Sequence, residues 1–355
     1  MTSKERLYTV FAGGRADRTP VLGGWLACPE HICVLTDRTM EGYWADPVGA
    51  AIEAYVKLGM DGLIDIYVPK NTDDYRIVDK DTYKSADNSM TFQEALDYID
   101  GMLSPEKIEA SFDFDGEYAD FREALAKRQV LCGDMVYMPA QWGAGAKVTW
   151  YDELGYENFF EAVGMYPDRA RRLFEIGAAR GRCRSMVVGK AVKEGLYPPA
   201  VLMGEDICSQ RGPMISPAFL EKYYAPLLAY GLEPLLEAGC KPVWHCDGDV
   251  RPLMDMIIDC GAKGLQGFQS ECGMTIEYVS GLRTKENNPL LVFGPMSVTR
   301  DLVDPDEREI TRKVRHAIDV CADNADLVLF TANTINPDVP LKNILAMYNV
   351  INCPL

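Results

Sequence analysis

Histidine is scarce in this chain: three occur among 355 residues, at His31, His245 and His316. Any site that needs an imidazole must draw on one of them. Basic charge is short too. Lys and Arg number 36 against 53 Asp and Glu, a formal net charge of −17. This argues against nucleic acid, whose phosphates need Lys and Arg to displace their counterions, and against an anionic membrane surface. No apolar run approaches the roughly 20 residues of a membrane span. The opening stretch, MTSKERLYTVFAGGRADRTP, lacks the apolar core and small-residue cleavage site of a signal peptide. A cytoplasmic location is expected. The eleven cysteines include no CxxC and are irregularly spaced. In a reducing compartment most of them read as small core thiols. No glycine-rich phosphate loop follows an early strand, which leaves a doubly wound dinucleotide fold without support.

What the chain does have is a core, with 48% hydrophobic residues, and a rhythm. Short apolar runs recur at 20–27, 61–68, 134–140, 200–206, 241–246, 264–269, 290–295 and 327–332. Helix-period segments separate most of them. SPAFLEKYYAPLLAYGLEPLLEAG carries a Ser-Pro start and a Gly stop, and DPDEREITRKVRHAIDVCADN opens acidic as the helix dipole favours. Eight continuous apolar strands alternating with helices imply a parallel sheet covered on both faces. Eight is also the number that closes a (β/α)8 barrel. The expected fold is thus α/β, a TIM barrel, with residues 70–130 as an inserted acidic and aromatic segment of short helices.

In such a barrel, chemistry gathers at the carboxyl ends of the strands. Those positions hold Trp25, Asp65, Tyr67, Tyr137, Trp142, Glu205, Asp206, His245, Asp247, Gln269, Glu271 and Asn333. The segment KPVWHCDGDVRPL, residues 241–253, is the most suggestive. In an extended chain residues i and i+2 point the same way, so His245 and Asp247 can chelate one cation. Glu205 or Glu271 from flanking strands can complete a three-ligand site with an open position, the pattern of catalytic zinc. Cys246 points to the opposite face. Two other readings stay open. Asp247 or Asp249 caps the following helix while His245 is structural, or the group is a metal-free acid/base site. The aromatic residues are core, or they line a pocket for a flat ligand.

GEDICSQRGPMISPAFLEKYYAPLL, GCKPVWHCDGDVRPLMDMIIDCGAKGLQGFQSECGM, LLVFGPMSVTRDLVDPDEREITRKVRHAI and NTINPDVPLKNILAMY follow in that order. They resemble the uroporphyrinogen decarboxylase superfamily, and the resemblance runs from about residue 4 to the end. It implies a single (β/α)8 domain over residues 1–355, often dimeric. One branch of the family decarboxylates uroporphyrinogen without a cofactor. Asp65 in LIDIYVP matches its pyrrole-holding aspartate. PVLGGWLACPEHI, however, lacks that branch's arginines, and TANTINPDVP lacks its late histidine.

The other branch moves methyl groups to or from a corrinoid on a partner protein. Its coenzyme M enzymes bind zinc through His-x-Cys and a later Cys. Here His245 matches the histidine, while Asp247 and Asn333 stand where the cysteines would be. The resemblance therefore implies a corrinoid-dependent methyltransferase of the demethylase type, with a harder N/O zinc site suited to an oxygen-bearing substrate. The expected catalytic residues are His245, Asp247 and Asp65, and the expected metal ligands are His245, Asp247, Glu205 and Glu271. Trp25, Tyr67, Tyr137, Trp142, Gln269 and Asn333 are expected to bind substrate. No corrinoid-binding DxHxxG occurs in the chain, so the corrinoid is expected on a separate carrier protein. The alternatives are a cofactor-independent decarboxylase or lyase acting on a carboxylated substrate, and a non-catalytic ligand-binding barrel.

Overall fold

A computed structural model describes residues 1–74 and 90–352. Among the described residues ten strands form in chain order: β1 Leu22–Gly23, β2 Gly62–Leu63, β3 Val136–Tyr137, β4 Ala200–Gly204, β5 Cys208–Ser209, β6 Gly212–Pro213, β7 Lys241–His245, β8 Gly264–Gln266, β9 Leu291–Met296 and β10 Asp326–Thr331. Each of the eight apolar runs coincides with one strand, and β5 and β6 are an added hairpin. The described residues divide into two compact units. One comprises 1–74, 123–140 and 264–352, and the other 90–122 and 141–263.

In the first unit every strand pair is parallel. β1 pairs with β2 and β2 with β3. Val21 bridges Leu329, and β10 runs beside β9 in register from Asp326↔Leu291 to Thr331↔Met296. β9 in turn pairs with β8. Parallel neighbours need crossover connections, and the intervening helices supply them. Helix Glu307–Cys321 buries Ile310, Val314, Ala317 and Cys321 along one stripe, the spacing of an amphipathic helix on a core. A buried charge cluster ties the amino-terminal segment down. Arg6 and Arg18 both clamp Asp61, which is fully buried and also accepts the Val21 N–H.

In the second unit β4 and β7 are parallel, from Ala200↔Lys241 to Gly204↔His245. Helix Ala225–Glu237 packs beside β7, and helix Pro167–Lys193 packs on that helix. The run 216–239 was read as one helix, but two form. Pro217–Tyr223 ends where Pro226 removes the N–H that a continuing helix would use, and Ser216 makes no capping bond. The inserted segment carries the short helices Phe92–Gly101 and Pro105–Ala110, as expected. Its last helix, Phe114–Cys132, runs 19 residues and is not short. Residues 75–89 of that segment lie outside the described residues. All ten described cysteines are buried, and none of them forms a disulfide with another. Among the described residues no helix is long and apolar enough to cross a membrane.

Candidate metal centre and active site

β4 and β7 end side by side. Gly204 faces His245 with φ of +136°, and a β-carbon on it would lie 2.3 Å from the His245 carbonyl oxygen. Only glycine permits so close an approach. Beyond that pair both chains leave the sheet. Asp206 then meets Asp247: its Oδ1 accepts the Asp247 N–H at 2.8 Å and lies 3.5 Å from His245 Nε2. One ligand atom each from Asp206, His245 and Asp247 falls within 4.8 Å of the others. His245 is buried, and the Trp142 ring stands edge-on to its imidazole at 5.2 Å. One imidazole and two carboxylates make an N/O donor set that fits a divalent ion.

The structure thus brings His245 and Asp247 together and adds Asp206. Neither expected glutamate is among those three residues. Glu205 Oε2 instead accepts from Val148 N at 3.1 Å, from Thr149 N at 2.6 Å and from the Thr149 hydroxyl. Burial pushes its carboxyl up to about 7 against those bonds. Glu271 belongs to the first unit, where Ser297 and Thr299 donate their hydroxyls to it at 2.8 and 2.7 Å. Asp249 accepts from the Arg251 N–H and side chain, and neither the turn nor the helix that follows has a side-chain cap. Cys246 is buried and turns its thiol to the Asp247 carbonyl. The other histidines are engaged elsewhere: His31 bonds the Val339 carbonyl, and His316 pairs with Glu277 on an exposed helix face.

No family model matches the chain, and no curated protein does. Among solved structures it is similar to a methyltransferase from Methanosarcina mazei, at 14% identity and a TM-score of 0.57, over 99% of this chain and 98% of that one. The likeness establishes the α/β fold.

A second polar group lies at the strand ends of the first unit. Asp65 follows β2 with φ of +58°, a left-handed conformation that non-glycine residues rarely hold outside functional or strained sites. Its carboxylate accepts the Ala140 N–H at 3.1 Å and a bond from Tyr67. Trp25 contacts Tyr67 at 5.7 Å and Phe330 at 4.8 Å. Tyr137 is close enough for the Asp65 charge to raise its hydroxyl, though burial does most of that. Trp25, Asp65, Tyr67 and Tyr137 therefore form one group. Gln269 and Asn333 sit past β8 and β10. The Gln269 amide oxygen accepts from the Cys272 thiol, and the Asn333 side chain accepts the Thr334 N–H.

Burial pushes the Asp65 carboxyl up to about 6. An acid raised on folding holds its proton better in the folded state. Its contribution to stability is full below about pH 4 and is lost as pH rises through 6. Asp65→Asn keeps the acceptor, tolerates the left-handed backbone and removes the buried charge. It is expected to stabilise the protein by about 1–3 kcal/mol at pH 8 and to change little at pH 4. Urea denaturation at the two pH values measures this, and an equal shift at both would refute the charge account.

Proposed function

We propose that this chain is a methyltransferase that moves a methyl group from a small O-methylated, aromatic substrate to the corrinoid of a separate carrier protein. The reading keeps the (β/α)8 arrangement of the uroporphyrinogen decarboxylase superfamily's methyltransferase branch, a cytoplasmic location and a homodimer. The observation that carries it is the convergence of Asp206, His245 and Asp247 at the ends of β4 and β7. Those three residues would hold a zinc ion. When bound, zinc supplies a Lewis acid for the oxygen that loses the methyl group. The two carboxylates balance the ion's charge, so the site receives a neutral ether more readily than it strips a proton from a thiol. Trp142, edge-on to His245 and 36% exposed, offers a flat apolar wall that suits an aromatic ring. Trp25, Tyr67, Tyr137, Gln269 and Asn333 keep the substrate-binding role expected from the sequence. Asp65, its carboxyl pushed up to about 6 by burial, would lend or take a proton at its carboxyl oxygens.

The test combines metal analysis with turnover. Purified protein is expected to carry about one zinc per chain. With a methoxyphenol and free cob(I)alamin it should form methylcobalamin, followed by absorbance, and lose that activity on chelation. Full activity in metal-free protein would sink the zinc assignment. The lyase reading draws on Asp65 alone, and it calls for CO2 release that chelators leave untouched.

A further inference from the structure

Glu205 adjoins Asp206 at the end of β4 but does not join the donor cluster. Its Oε2 takes three hydrogen bonds, all from residues 148 and 149. That stretch is itself firmly seated. Trp150 is fully buried, with Lys147 and Arg180 over its ring at 5.2 and 5.6 Å, and Lys147 pairs with Glu153 at 2.8 Å. On the other flank, Gly204 is pressed against the His245 backbone. The end of β4 is therefore gripped twice, by β7 at Gly204 and by the 148–149 strap at Glu205. Asp206 is the next residue. Its carboxylate has only the Asp247 N–H and the His245 ring to orient it.

We propose that Glu205 is a positioning residue of the metal centre, whose triply bonded carboxylate fixes the backbone so that Asp206 meets His245 and Asp247. This rests on the metal reading above. An unanchored strand end would let Asp206, 42% exposed at its side chain, swing toward water. The pair of carboxylates would then lose its chelating geometry. The role differs from that of a ligand, because what it requires is a hydrogen-bond acceptor and not a negative charge. Groups that orient ligands in this way typically contribute about 10–100-fold to metal affinity.

Cobalt(II) alone is a suitable probe, since its visible spectrum reports donor number and geometry. Wild type, Glu205→Ala, Glu205→Gln and Thr149→Val are titrated with cobalt(II), and their melting temperatures are recorded. Glu205→Ala is expected to bind at least about tenfold more weakly and with an altered band. Thr149→Val, which removes one of the three donors, should fall between it and wild type. Glu205→Gln keeps the acceptor and should stay within about threefold of wild type. Should Glu205→Ala not fold, the Gln and Val variants still decide. A Gln variant weakened at least tenfold, beside an unaffected Val variant, makes Glu205 a ligand and overturns the proposal. Wild-type affinity and spectrum in every variant overturn it too. A wild type that binds no cobalt(II) instead sinks the metal reading on which the role depends.

Discussion

Replacing His245 with alanine is expected to abolish tight zinc binding and to lower methyl transfer on the order of 10³-fold, about 4 kcal/mol of barrier. His245 is the only imidazole among the donors at this centre. Without it the ion would have two carboxylates, both half-exposed, in contact with water that competes for every position. The fold should tolerate the change. His245 closes β7, and its side chain touches Trp142 and Asp206 and does not fill the centre of the core. A stability loss of about 1–2 kcal/mol is expected, from the cavity and the lost ring contact. The two effects are separable. Zinc titration and methylcobalamin formation should collapse while the urea midpoint moves little. Unchanged turnover in this variant would remove the imidazole from the chemistry.

Much of the fold was legible because parallel strands buried on both faces leave continuous apolar runs. LVLFTA and AVLMG cannot be solvent-facing strands, and each lies in a buried strand. Where chain direction depends on single peptide units, the sequence was harder to read. The break between Tyr224 and Ala225 comes from Pro226, well inside an apolar helical pattern that starts at Pro217, and periodicity passes straight through it. The candidate site shows the same division. His245 and Asp247 were singled out by the i, i+2 rule, although β7 ends at His245 and Asp247 lies past the strand. Glu205 and Asp206 both follow Gly204, where the strand has ended and alternation has no meaning. Choosing between them requires knowing that Val148 and Thr149 point three hydrogen-bond donors at Glu205. Those residues are more than fifty positions away, and only the folded chain brings them there. The capping role open to Asp249 is not realised: it holds the Arg251 fork past a turn at Gly248 of φ +86°, and no side chain caps the helix that follows.

Gly204→Ala is expected to damage stability and site together. A methyl group there would lie 2.3 Å from the His245 carbonyl oxygen and 2.6 Å from the His245 nitrogen, and both contacts are backbone. No side-chain rotation relieves them, so β4 and β7 must separate. The φ of +136° adds strain for any residue with a β-carbon. A loss of about 3 kcal/mol or more is expected, at the upper end for a single methyl. The functional effect should exceed the structural one. The Gly204↔His245 register is what brings Asp206 to the Asp247 N–H, and a shift of even half an ångström at that pair moves two donors relative to the third. Zinc affinity should therefore fall under conditions where the variant is still fully folded. Gly164→Ala serves as the control. It lies in helix Tyr156–Met165 with open space around its would-be β-carbon, and should be neutral or stabilising by up to about 1 kcal/mol. Zinc titration by calorimetry, with urea unfolding of both variants, makes the comparison. A Gly204→Ala protein that unfolds like the control and binds zinc like wild type would show that β4 and β7 are not held as closely as this pairing requires.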